Sequence, residues 1–161
     1  MKYDNSSVRR QDRLLEEENA MDLLRLGEYG VLSMVSPEGG AYGIPVNFVY
    51  DGQECIYIHC APQGRKLRCI AACPDVSFCV VGATGVVPEK FTTNYSSVVL
   101  SCRAEVGLSA DERMHALQLL LEKYCPEHLA VGAKYAEKSF YRTEIIRLCV
   151  RSASGKCKRV R

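Results

Sequence analysis

Short runs of alternating apolar and polar residues dominate this chain, and helical spacing interrupts them in three places. From Leu14 onward, Ala20, Leu23, Leu24 and Leu26 build one helical stripe, and Gly27 stands where a helix would end. Residues 30–36 then read as a strand, Pro37-Glu38-Gly39-Gly40 as a turn, and 41–50 as the returning strand. In that second strand Ile44, Val46, Phe48 and Tyr50 share a core-like face. The other face carries Gly43, Pro45, Asn47 and Val49, and a proline beside an amide suggests a sheet edge or a surface turned toward a ligand.

Residues 51–54 turn the chain into a third strand, 55–61, followed by the loop Pro62-Gln63-Gly64 and a short helix over 65–73 that Pro74 stops. Residues 76–81 are almost wholly apolar and predict a strand buried on both faces, and 82–90 is a loop rich in Gly, Pro and Val. A long strand follows over 92–107. Ser109 and Glu112 form a capping box for a helix whose stripe is Met114, Leu117, Leu120 and Leu121 and whose end is near Tyr124. Residues 126–139 read as a loop with a short helical turn, 140–151 as the last strand, and 152–161 as a solvated basic tail carrying Lys156, Lys158, Arg159 and Arg161. Residues 1–12 read as an extended lead-in. Six strands with hairpin-length turns and few helices between them predict one mainly β domain over 1–161, its antiparallel sheet long enough to curl into a barrel with flanking helices.

Composition narrows the partners. A net charge of +2 over 161 residues is too small to make nucleic acid or a membrane surface the main partner. No apolar run approaches the roughly 20 residues of a membrane span. Residues 1–19 are polar with no apolar signal core, so a cytoplasmic protein is expected. Nine cysteines are many, but they include no Cys-x-x-Cys pair and their number is odd, so packing rather than metal ligation or a disulfide framework is expected and no metal site is assigned.

The stretch 58–73 concentrates the candidate chemistry. A strand delivers His59, a Pro and Gly loop follows, and Arg65 and Lys66 stand where a helix begins. A helix start offers unpaired N–H groups and the positive end of a dipole, so two cations there compose an anion-binding corner. Taken alone, the pair reads first as a solvated helix face and His59 as a core or rim strand residue without chemistry. No Ser-His-Asp spacing and no Gly-x-Gly-x-x-Gly after a strand is present.

Three segments together carry a resemblance: Gly-Glu-Tyr-Gly-Val-Leu-Ser at 27–33, Tyr-Gly-Ile-Pro-Val-Asn-Phe at 42–48, and Tyr-Ile-His-Cys-Ala-Pro-Gln-Gly-Arg-Lys at 57–66. With the lead-in at 8–13, Tyr95-Ser96-Ser97-Val98-Val99 and the run 116–124, this order resembles the nitroimidazole-resistance branch of the pyridoxamine-5′-phosphate-oxidase-like superfamily. The resemblance implies a six-stranded flavin-binding split β-barrel and a homodimer with flavin sites at the subunit interface. It implies FMN, or alternatively FAD, with its phosphate on Arg65 and Lys66 after Gly64. The ring would lie against Pro45, Val46, Asn47 and Phe48, with His59 beside ring and substrate and with Ser96 and Ser97 on the neighbouring strand. The implied activity is a flavin-dependent oxidoreductase reducing a nitro-aromatic or other small electron acceptor; a non-catalytic flavin- or haem-binding module is the alternative. Pyridoxamine-phosphate oxidation itself finds no substrate-phosphate residues near the C-terminus. Ser101-Cys102-Arg103 and Glu112-Arg113 depart from the family's pattern.

Overall fold

The computed structural model describes residues 1–160; Arg161, the last cation of the expected tail, lies outside the described residues. In chain order the elements are β1 (Lys2–Tyr3), α1 (Glu17–Leu26), β2 (Gly30–Val35), β3 (Ala41–Val46), β4 (Val49–Tyr50), β5 (Cys55–Cys60), α2 (Arg65–Ala72), β6 (Asp75–Val81), β7 (Gly85–Val87), β8 (Thr92–Glu105), α3 (Ala110–Tyr124), α4 (Leu129–Ser139) and β9 (Glu144–Lys158). The strands pair in the order β3-β2-β6-β8-β9-β5-β4, with β1 added to β9 and β7 to β8. All pairings are antiparallel except that of β1 with β9. The sheet is the expected antiparallel one, but it has nine strands rather than six.

The run expected as one strand over 41–50 is two. β3 pairs with β2, and after Asn47 and Phe48 the chain continues as β4, which pairs with β5. These two segments are the opposite ends of the hydrogen-bonded path, so the sheet curls without closing and this one run of chain spans its seam. The seam needs a local break because neither edge can bond through the change of neighbour.

Inside the curl, Leu24, Leu32, Phe48, Ile56, Ile58, Phe78, Val80, Leu100 and Leu148 are fully buried. Phe48 and Phe78 meet edge to face with ring centroids 5.1 Å apart. A Cβ on Gly30 would collide with the tip of the Phe78 ring, so the bare backbone of β2 at that point is what makes room for it. A second, smaller core forms outside the sheet, where Ala116 and Leu120 of α3 cover Val49, Tyr57 and Ile145. β5 is therefore buried on both faces along Ile56–Ile58, and its outward face emerges into solvent only at His59.

Other segments depart from the sequence expectation as well: residues 82–90, expected as a loop, include the short strand β7, which pairs with the start of β8. Residues 126–139, expected as a loop, hold α4, eleven residues long. Gly132, which weakens the helical pattern there, stands where a Cβ would come within 2.5 Å of Leu121 Cδ2, so it sets the close approach of α4 to α3. Residues 140–142 form a 3-10 turn, and the last strand starts later, at Glu144. The basic tail is no solvated end. Residues 152–158 complete β9, pairing with β8 from Ser101↔Ser152 to Tyr95↔Lys158. The lead-in clamps them from the other side: β1 runs parallel to β9, Gly155 N–H donates to Asn5 Oδ1 at 2.9 Å, and Tyr3 OH donates to the Leu15 carbonyl at 2.6 Å across Gly155.

Ser109 caps α3, accepting from Glu112 N–H at 3.2 Å. The Glu112 carboxylate does not close the box; it accepts from Tyr57 OH at 3.2 Å and from Arg147, whose guanidinium also binds Glu105. That cluster ties the start of α3 to β5, β8 and β9. No described helix is long and apolar enough to cross a membrane.

Replacing Phe78 with Ala removes the ring shared by both faces of the inner core and is expected to cost about 3–5 kcal/mol. Urea unfolding followed by circular dichroism checks it, through a lowered midpoint at unchanged slope.

Candidate functional site

The outward face of β5 places Cys55, Tyr57 and His59 in a row beneath α3. Between β5, the seam and the pair α3–α4 lies a cavity of about 350 Å³. Its walls are mainly apolar, from Leu117, Leu121, Tyr124 and Tyr135, and Asn47 and His59 are polar groups at its edge. The structure thus brings together two sequence-derived candidates from different segments, Asn47 at the seam and His59 on β5.

Asn47 is held in place. Its Nδ2 donates to the Glu28 carbonyl at 2.9 Å, which leaves its Oδ1 as the unclaimed acceptor of the amide. Next to it, Tyr124 OH lies 2.7 Å from the Glu28 carbonyl and 2.8 Å from the Phe48 carbonyl, and accepts from Phe48 N–H at 3.0 Å. Lys123 Nζ donates to the same Phe48 carbonyl at 2.9 Å and stands 3.8 Å from the centre of the Phe48 ring. Burial pushes the Lys123 pKa down to about 8. Phe48 therefore offers little to a ligand: its side chain is fully buried in the core and its backbone groups belong to α3. Pro45 is exposed and Val46 half-buried on β3 leading to the seam.

His59 meets solvent at the cavity's edge, yet the protein packed around it, and then the Lys66 ammonium, push its pKa below the usual imidazole value of 6.5. Lys66 acts in the same direction on the buried Cys60 thiol, where burial, which raises the pKa, outweighs it. Lys66 thus faces the end of β5. Arg65 faces elsewhere: its guanidinium carbon is 4.2 Å from the centre of the Tyr42 ring, and Nη2 is 3.4 Å from Ser36 Oγ, both in the β2–β3 hairpin. The two cations flank the start of α2 from different sides. Gly64, at φ +148°, precedes that helix, no side chain caps its first N–H groups, and nothing lies within 4 Å of where a Gly64 side chain would begin. An uncapped helix start between two cations, open above its glycine, fits a phosphate monoester.

Ser96 and Ser97 are not part of this assembly. Ser96 pairs with Cys157, while His59 pairs with Ile145, so a dozen residues of β9, roughly 40 Å of strand, separate them along the sheet. The Ser96 carbonyl accepts from Gly82 N–H at 2.9 Å. A larger and more open groove of about 580 Å³, between the lead-in and the end of β9, is lined by Arg10, Arg13, Lys158 and Arg159 and contains none of the sequence-derived candidates.

Sequence reasoning missed Tyr124, Lys123 and the whole wall made by α4. Leu117, Leu121 and Tyr124 follow the i, i+4, i+7 rule of one helix face, which is visible in the sequence but reads there as ordinary core.

An antiparallel barrel open along one seam, with helices packed outside it, is a split β-barrel. The pattern of the pyridoxamine 5'-phosphate oxidase family matches residues 16–157, and the chain belongs to that family. A candidate 5-nitroimidazole antibiotic resistance protein from Bacteroides thetaiotaomicron superimposes with a TM-score of 0.76 at 17% identity, covering 90% of this chain and 86% of that one. An FAD-binding protein from Mesorhizobium loti gives 0.62 at 22% identity, over 91% of this chain and 98% of its own. A protein from Mycobacterium smegmatis that binds FAD and haem gives 0.68 at 19% identity, over 90% and 72%. At these identities the likeness is one of fold. No curated protein matches the sequence.

Two measurements check the geometry. Tyr124→Phe leaves the buried Phe48 N–H without its acceptor and is expected to cost about 1–3 kcal/mol in urea unfolding. An NMR titration should place the His59 pKa below 6.5, and Lys66→Ala should raise it. Because the folded state disfavours the proton, His59 contributes stability above pH 6.5, which is lost as pH falls from there through its folded pKa; exposure keeps the contribution small.

Proposed function

We propose that this protein is a cytoplasmic flavin-dependent oxidoreductase that reduces a small nitro-aromatic acceptor, and that it works as a homodimer. The observation that carries the reading is the uncapped, doubly cationic start of α2 standing on the loop that follows His59. Arg65, Lys66 and the first N–H groups of α2 would hold the flavin phosphate. Asn47, its Nδ2 fixed on the Glu28 carbonyl, would present Oδ1 to a donor on the polar edge of the ring. A bound flavin supplies the redox chemistry, passing electrons from a reduced donor to the acceptor. The protein's task is to bind, to exclude water and to manage protons.

His59 suits the last of these. With its pKa held below 6.5 it is mostly neutral at pH 7, and its protonated minority is a stronger acid than an ordinary imidazolium. Reduction of a nitro group consumes protons, so His59 is the residue we assign to deliver them. The apolar walls of Leu117, Leu121, Tyr124 and Tyr135 suit a flat, poorly hydrated acceptor. The homodimer is supported by the distance of Ser96 and Ser97 from His59: if both serines serve the flavin, they serve the site of a second copy.

FMN is the proposed cofactor, with FAD as the alternative, since the same helix start accepts either phosphate. The visible spectrum of the purified protein, followed by mass analysis of the released cofactor, tests this; a Soret band without flavin bands would replace the reading with a haem-binding module. Replacing Arg65 and Lys66 together with Ala should weaken flavin binding at least about tenfold for each charge-assisted hydrogen bond removed. Flavin retained through gel filtration at wild-type stoichiometry would place the phosphate elsewhere. With flavin and a reductant supplied, turnover of a nitro-aromatic should rise as pH falls toward the His59 pKa, and His59→Ala should abolish that rise.

A further inference from the structure

Cys55 opens β5 directly opposite Cys149 of β9. Antiparallel partners alternate between pairs that exchange backbone hydrogen bonds and pairs that do not, and the second kind brings its Cα atoms to about 4.5 Å, with the side chains closer. Cys55 and Cys149 are of the second kind. Cys55 N–H donates to Asp51 Oδ1 at 3.0 Å and the Cys55 carbonyl accepts from Asp51 N–H at 3.0 Å, so both groups turn away from β9. One residue earlier, the Glu54 carbonyl faces β9 and accepts from Val150 N–H at 2.9 Å. The two thiols share the outward face. A disulfide needs Cα atoms about 4.4–6.8 Å apart, which this type of pair already satisfies.

No other two cysteines face each other across a strand pair among the described residues: the partners of Cys60, Cys79, Cys102 and Cys157 are Glu144, Val31 and Val99, Val76 and Val150, and Ser96. We propose that Cys55 and Cys149 are a redox modification site, a dithiol that low-molecular-weight disulfides close into a reversible cross-strand bond. The Cys149 thiolate attacks one sulfur of the reagent and expels the first small thiol. Cys55, its proton passed to water, then attacks the Cys149 sulfur of the mixed disulfide and expels the second. The protein gives up two protons and two electrons, and the reagent is reduced to two thiols.

The charged groups around the pair set its pace. Arg147 of β9 and the Cys55 S–H favour the Cys149 thiolate, whereas Glu105 of β8 opposes it, and Asp51 opposes ionisation of Cys55. Arg103 of β8 stands opposite Cys149. Burial raises both thiols, Cys55 to about 12, so closure is slow and belongs to sustained oxidation rather than to turnover. The bond would lie on the strand pair that carries His59 and Ile145 further along.

The reduced protein, incubated with oxidised glutathione, quenched in acid, alkylated under denaturing conditions and digested without reductant, should yield one peptide pair joining Cys55 to Cys149, lighter by two hydrogens than the two thiols. Dithiothreitol or Cys149→Ser should abolish it. The closed protein should also melt several degrees above the reduced one, because the bond closes a loop of most of the chain. Recovery of both residues as alkylated or singly glutathionylated thiols, with the exposed Cys125 glutathionylated as proof that the reagent acted, overturns the proposal, as does linkage to any other cysteine. If the serine variant fails to fold, the wild-type peptide map alone decides.

Discussion

A sheet that curls on itself without closing must end somewhere, and here both ends fall on one continuous run of chain, on either side of Asn47 and Phe48. Those two residues leave one strand neighbour before they gain the next, so their backbone groups need partners from outside the sheet. Tyr124 and Lys123, at the last turn of α3, supply them for Phe48. The position of α3 follows from this bond set at its C-terminal end and from the Tyr57–Glu112–Arg147–Glu105 cluster at its start. The cavity beside His59 exists because α3 is pinned at both ends and α4 is drawn against it through Gly132. One hydroxyl and one ammonium at a seam thus define the wall of the site.

Much of the fold was legible because alternation is a local property. The inner face of β5 is a property of a few adjacent residues, and the structure bears it out; β6, expected to be buried on both faces, buries only Val76, Phe78 and Val80, while Cys79 on its other face is half-buried and Val81 exposed. What was hidden depended on distant pairing. Residues 152–158 carry small and basic side chains with no apolar run, and they become strand only because β8 and residues from the other end of the chain hold them. α4 was hidden by the glycine that its packing requires.

The site was legible in its residue types and less so in its geometry. Pro45 and Asn47 marked an unusual strand face, and that face does lie at the seam. Arg65 and Lys66 looked like one corner because they are adjacent, but adjacent positions on a helix point about 100° apart, and the two side chains part toward Tyr42 and toward the end of β5. Ser96 and Ser97 came from the resemblance alone, and strand order, which is not written in alternation, sets them far along the sheet from His59.

β9 pairs with β1, β5 and β8, and it is the last of the described elements to leave a ribosome. Until it emerges, β5 has only the two residues of β4 beside it, and the long β8 has one flank bare. The order of synthesis and the order of pairing therefore run against each other. Such a chain waits with exposed strand edges until its C-terminal stretch arrives, so its yield in a cell should be governed less by final stability than by how well those edges are shielded during translation.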